Sequence, residues 1–166
     1  MENLSADNTM SVDEVVNTYG DMLYRLCFII LKNENDAQDA VQETVISFFE
    51  KKPQLRNDEH TKAWLISVAK NKCRDILRYK KRHNHLDIDG VSDIPSTPQS
   101  SEVLEVLMSL PEKFRLVLTL YYVEEYKTEE IARIIGKTPS AVKMRLQKGR
   151  RLLKEKYQKE VFDDEA

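Results

Sequence analysis

Apolar side chains recur at helical spacing along most of the chain, and the residues that would interrupt such a pattern are few: four glycines and five prolines in 166 residues. Val12, Val15, Val16, Tyr19, Leu23, Leu26 and Ile30 follow the i, i+3, i+4, i+7 rule of one buried face and predict a helix from about Val12 to Lys32. Asn33 or Asn35 can cap a second helix with Ala37, Ala40, Val41, Thr44, Val45 and Phe48 as its buried stripe and Pro53 just past its end. A third, from about His60 to Arg82, would turn Trp64, Ile66, Ala69, Cys73, Ile76 and Leu77 inward. Three such helices make a small bundle.

The pattern breaks from His83 to Ser101. This stretch holds Gly90, Pro95, Pro98, several serines and no Lys or Arg, the composition of a flexible linker. Its nineteen residues reach on the order of 60 Å when extended. Periodicity resumes from Glu102 to about Tyr157. The expected fold is all-α: an N-terminal tail (1–10), a bundle (11–82), a linker (83–101), a second helical unit (102–158) and an acidic tail (159–166).

The second unit carries the sharpest local signal. Thr128 reads as an N-cap with Glu129 and Glu130 in the first turn, Ile131, Ala132, Ile134 and Ile135 form a short apolar helix, and Gly136 supplies a left-handed residue to end it. Thr138 then caps a second helix with Pro139 at its first position. Helix, tight turn with glycine, helix is the helix-turn-helix pattern. At about 100° per residue, Val142, Leu146, Gly149 and Leu153 share one side. The other presents Ser140, Met144, Gln147, Lys148 and Arg151, flanked by Lys143, Arg145 and Arg150. Such a face suits a major groove, where Gln, Lys and Arg meet base edges while flanking cations hold phosphates.

Net charge is -2, which on its face disfavours a nucleic-acid binder. The charges are nevertheless sorted: residues 1–61 sum to -7, 62–82 to +7 and 137–159 to +8, with acidic stretches between and after them. Local charge, not the total, sets what a surface attracts. The alternation also permits intramolecular masking, with acidic 83–102 or 160–166 over the basic helices. The longest apolar run, Leu26 to Leu31, is far short of the ~18–20 residues of a membrane span. No secretory signal opens the chain, and its two cysteines, Cys27 and Cys73, make no CxxC, so a reducing, cytoplasmic location and a core role for both are expected.

The polar face of the third helix, with Lys62, Lys70, Lys72, Arg74 and Arg78 and with Trp64 and Tyr79 near it, is a second candidate nucleic-acid surface; rings beside cations suit unpaired bases. The second helix is its acidic opposite, with Asp36, Asp39 and Glu43 on one stripe beside Gln42. A solvated face is the plain reading of that stripe, and a docking surface for a basic partner the sharper one.

Two segments together point to a family. Asp36-Ala37-Gln38-Asp39-Ala40-Val41-Gln42-Glu43-Thr44, followed by Ala63-Trp64-Leu65-Ile66-Ser67-Val68-Ala69-Lys70-Asn71, resembles region two of bacterial sigma-70-type sigma factors; Leu110-Pro111-Glu112-Lys113-Phe114-Arg115 with Thr128 to Leu153 is similar to their region four. The layout resembles that of the small extracytoplasmic-function (ECF, group four) members. The resemblance implies a non-enzymatic initiation factor without a cofactor. It directs core RNA polymerase to minus-ten and minus-thirty-five promoter elements in an envelope or stress response. Asp36, Asp39, Gln42 and Glu43 would bind the β′ clamp helices, and region four the β flap. Arg56, Asn57, Asp58, His60, Thr61, Lys62 and Trp64 would capture a flipped minus-ten base, with Asn71, Lys72, Arg74 and Arg78 along the adjoining DNA. Ser140, Lys143, Met144, Gln147 and Lys148 would read the minus-thirty-five element, with Lys137, Thr138, Arg145, Arg150 and Arg151 on phosphates. Weak DNA binding by the free chain is expected, and control by an anti-sigma factor, often membrane-bound. Two other readings stay open on the residues alone. One is a helix-turn-helix regulator that acts on duplex DNA without polymerase; the other is a nucleic-acid enzyme holding Mg²⁺ on Asp36, Asp39 and Glu43.

Overall fold

The computed structural model describes residues 10–83 and 102–164. The tail at 1–9, most of the expected linker (84–101) and residues 165–166 lie outside the described residues. Seven helices make up the described chain: α1 (Val12–Leu31), α2 (Glu34–Lys51), α3 (Asp58–Arg82), α4 (Glu102–Ser109), α5 (Glu112–Tyr122), α6 (Thr128–Ile135) and α7 (Pro139–Asp164).

Local chemistry sets most of their ends. Ser11 and Glu14 close a capping box on α1: the Ser11 hydroxyl accepts from the Glu14 amide at 3.2 Å, and the Glu14 carboxylate accepts from the Ser11 amide at 2.7 Å. Asn33, not Asn35, caps α2 by accepting from the Asp36 amide at 2.9 Å. Asn57 caps α3 in the same way from the His60 amide, so α3 starts at Asp58, two residues before the expected start at about His60. On α6 the cap is Lys127 rather than Thr128, because Glu130 reaches back to accept from the Lys127 amide at 2.8 Å. Gly136 ends α6 at φ 66°, a left-handed turn natural to glycine, and the Thr138 hydroxyl then accepts from the Ala141 amide at 3.1 Å to open α7. That helix continues through 159–164.

Helices α1, α2 and α3 pack on one another, and α4, α5 and α6 pack around α7. Val15, Leu23, Leu26, Leu65 and Ile66 centre the first unit; Leu116, Val117, Leu120, Ile131, Val142 and Leu146 centre the second. Three side chains of the expected stripes sit elsewhere. Val12 and Val16 are about half exposed, at 51% and 45%, and Leu77 is 39% exposed. Periodicity identifies a face but not how far the partner helices extend along it. Cys27 and Cys73 are fully buried, and a hydrogen bond to Cys27 together with burial pushes the Cys73 thiol far above its usual range, which makes it inert.

Gly149 fits α7 closely to α5: a Cβ there would stand 3.2 Å from Leu118 Cδ1. The two units also touch, through α1 with α5 and α3 with α6, a contact that apolar periodicity gave no means of anticipating.

Candidate nucleic-acid and polymerase interfaces

The second helix of the helix-turn-helix stands out from its unit because its outer row is exposed to solvent. Ser140, Lys143, Met144, Gln147, Lys148 and Arg151 are all exposed, Met144 at 70%. Val142 and Leu146, on the opposite side, are 0% and 2% exposed. Lys137 and Thr138 lie exposed at the turn that leads in, where Thr138 also serves as a cap. Met144, Arg145, Gln147, Lys148 and Arg151 line a cleft of about 590 Å³ with Lys113 and Phe114 of α5. The Lys113 and Lys148 ammonium groups stand 5.1 and 5.8 Å from the Phe114 ring. Lys113 was not singled out from the sequence, since a lone cation at the start of α5 carries no periodic signal. Arg150 points elsewhere: its guanidinium lies 5.7 and 5.8 Å from the rings of Tyr121 and Tyr122. There it borders a second cleft, of about 470 Å³, walled by Val103, Leu107, Leu118, Tyr122, Leu153 and Tyr157.

On α2, Asp39, Gln42 and Glu43 are exposed along one stripe, and Ile46, 49% exposed, continues it. Ile46 was missed, although its i+3 and i+4 spacing from Glu43 and Gln42 would have placed it there. Asp36 is drawn aside into an ion pair with Lys80, and Glu43 meets Lys72 at 3.6 Å. The Asp36 and Glu43 carboxylates are therefore turned toward lysines of α3, and among the described residues no three His, Cys, Asp or Glu side chains gather as a metal site would require.

The α3 surface divides. Asn71 and Arg78 are exposed and Arg74 and Lys72 half-buried, Arg78 within 3.7 Å of Asp75. Arg56, Asp58 and His60 are exposed at the other end. Asn57 is occupied as the cap, and Thr61 is buried with its hydroxyl donating to the Asn57 carbonyl at 3.1 Å. Lys62 and Trp64 are half-buried. Lys62 lies 3.6 Å from Glu124 and 5.0 Å from the Tyr126 ring, and Trp64 packs edge-on against Phe48 at 5.7 Å between centroids. Lys70, counted above among the cations of the polar face, is 5% exposed and donates to the Ile134 carbonyl at 2.8 Å; burial lowers its pKa.

Comparison with known proteins agrees with this geometry. Residues 15–83 match the family described as sigma-70 region 2, and residues 100–153 match sigma-70 region 4. Over 141 residues the chain is 30% identical to the RNA polymerase sigma factor SigV of Bacillus subtilis, a match covering 82% of this chain and 85% of SigV. It is 28% identical over 160 residues to the ECF RNA polymerase sigma factor SigW of the same organism, covering 85% and 86%. Its fold resembles that of the sigma factor RpoE solved with the anti-sigma factor NepR from Bartonella quintana. The TM-score is 0.71 at 21% identity, over 86% of this chain and 94% of that one. A helical bundle, an acidic stripe on its second helix and a cationic helix-turn-helix, each within its own matched region, place the chain in the sigma-70 family as an ECF-type RNA polymerase sigma factor.

Proposed function

We propose that the chain docks on core RNA polymerase through two different kinds of surface and reads promoter DNA through two more. The observation that carries this reading is the segregation of charge and apolarity by helix: acidic on α2, cationic on α3 and on α7, and apolar in the cleft of α4, α5 and α7. Asp39, Gln42 and Glu43, extended by Ile46, face the β′ clamp helices. The apolar cleft with Tyr122 and Leu153 takes an amphipathic element of the β flap, and Arg150 borders it rather than the DNA. Arg56, Asp58, His60, Lys62 and Trp64 capture an unpaired minus-ten base, for which stacking supplies about 1–3 kcal/mol. Asn71, Lys72, Arg74 and Arg78 follow the neighbouring phosphates. Asn57 and Thr61 support that site by holding the first turn of α3, and Asp36 supports the docking stripe through Lys80.

The minus-thirty-five element is read by Ser140, Lys143, Met144, Gln147 and Lys148, with Lys113, Lys137, Arg145 and Arg151 near phosphates. The chain has no catalytic task of its own in this scheme and works in the cytoplasm; among the described residues no helix is long and apolar enough to cross a membrane. An anti-sigma factor, membrane-bound or soluble, would restrain it, as the RpoE relative was solved with one.

The test is run-off transcription with purified core polymerase on a library of promoter fragments. Adding the chain is expected to create start sites preceded by two common elements; no new start sites would overturn the reading. A second expectation concerns Lys148→Ala. Loss of one base-edge contact lowers promoter affinity by about 1–3 kcal/mol and relaxes preference at one position. A binding titration against single-position variants of the element checks it, and a loss equal on every variant would make Lys148 a phosphate contact.

A further inference from the structure

A single exposed apolar side chain on a protein surface needs no explanation; one set in the middle of a row that meets DNA does. Met144 is the most exposed of the large apolar side chains among the described residues, at 70%. It lies midway along the outer row of α7, one turn after Ser140 and one turn before Gln147 and Lys148, all of them exposed. The cleft that it lines with Phe114 also carries four cations, Lys113, Arg145, Lys148 and Arg151. A duplex held by those cations brings its groove onto Met144, while Val142 and Leu146, at 0% and 2% exposed, fix the helix from behind.

What can meet such a side chain follows from its chemistry. A thioether carries no N–H or O–H, and its sulfur is a weak acceptor. In the major groove guanine, adenine and cytosine offer donors and acceptors at their edges, and thymine alone adds a methyl group. Set against the first three, Met144 strips water from a polar base atom and gives no hydrogen bond in return, which is costly. Against thymine it buries one methyl on another. Selection therefore runs both for thymine and against the other bases. The unbranched, polarisable side chain of methionine adapts its shape to the contact. Gln147 fixes where the next contact falls: at ~1.5 Å per residue it stands ~4.5 Å further along α7, and base pairs are ~3.4 Å apart. Its amide thus meets a pair within about two steps, where adenine N7 and N6 suit it.

We propose that Met144 is the thymine reader of this chain: its thioether end covers the C5-methyl of one thymine in the minus-thirty-five element, beside a pair read by Gln147. The inference rests on the duplex-reading assignment above and adds to it the base and the atom recognised. Arg145 and Arg151, on phosphates, supply affinity without sequence information.

The test uses holoenzyme assembled from core polymerase and the full chain, with a duplex carrying the strongest promoter recovered from the run-off library. Each thymine of the minus-thirty-five element, on either strand, is replaced in turn by deoxyuridine, which lacks only the C5-methyl. At one position the replacement is expected to weaken binding about three- to five-fold, the equivalent of one buried methyl group. Met144→Ala should bind the unmodified duplex no more tightly than wild type binds that modified one, and should no longer distinguish the two. Met144→Leu, of similar volume, should keep the discrimination. Because Met144 is exposed, neither change removes core packing, which circular dichroism on heating checks. Deoxyuridine at the other thymines should leave both proteins unaffected, which separates a methyl contact from an effect on duplex shape. Gln147→Ala should relax an adenine preference close to the same position. A scan that is flat at every thymine, an element made of G·C pairs alone, or a discrimination that survives in full in Met144→Ala would overturn the proposal while leaving the sigma reading intact. A library that yields no promoter would instead strike the sigma reading, and the thymine contact with it.

Discussion

Reversing Asp39 and Glu43 together, as Asp39→Lys with Glu43→Lys, is expected to weaken binding to core RNA polymerase by about 100-fold or more while leaving the chain folded. Like charges set against each other at an interface cost several kcal/mol, and each ~1.4 kcal/mol is a factor of ten. The fold should tolerate the change. Asp39 is exposed, and the Glu43 carboxylate, 59% exposed, meets Lys72 at 3.6 Å in a surface pair. Such pairs contribute about 0–1 kcal/mol, so even a repulsive replacement moves stability little. Competition against a labelled wild-type chain for core polymerase measures the loss, and helical circular dichroism on heating checks the fold. Duplex affinity of the free chain should rise slightly with the added positive charge. Core affinity within a factor of about three of wild type would remove α2 from the docking surface, since one such juxtaposition alone exceeds that factor. Ile46→Ala on the same stripe refines the test, because it removes apolar area and no charge.

What the sequence made legible is what periodicity and capping chemistry encode. Asn33, Gly136 and Thr138 announced helix ends that the structure bears out, and Val142 and Leu146 separated the buried from the reading side of α7. Legibility stopped where a polar side chain does packing work. Lys70 and Arg115 read as ordinary cations, since nothing in their spacing says that carbonyls of the opposite unit will accept from them. Glu124 is likewise one of a string of glutamates until the fold sets it beside Arg25 and Lys62. Thr128 lost the cap to Lys127 because the deciding bond comes from Glu130, three residues on, a geometry as easily written for either neighbour. Arg150 belonged by angle to the flank of the reading face, and the adjacent rings of Tyr121 and Tyr122 drew it to the other side.

Leu146→Ala should unfold the C-terminal unit well before the N-terminal one. Leu146 is 2% exposed in the core of α5, α6 and α7, and removing a buried leucine to Cβ costs about 2.7–5 kcal/mol through lost transfer energy and the cavity left behind. A unit of this size has little in reserve: 63 described residues at about 0.05–0.15 kcal/mol each give roughly 3–9 kcal/mol in all. For domains of about 60–100 residues each kcal/mol moves the midpoint by ~4–8 °C, so a fall of more than ~10 °C is expected in the transition that melts α4 to α7. The N-terminal bundle, centred on Leu23 and Leu65, retains its own core and should melt separately. Duplex binding should disappear with the unit, while docking through α2 persists at reduced affinity. Met144→Ala is the matched contrast. At 70% exposure it should shift stability by no more than about 0.5 kcal/mol and change only which bases are preferred. A Leu146→Ala chain that melts within ~2 °C of wild type would contradict the packing assigned to α7, because that shift corresponds to less than ~1 kcal/mol.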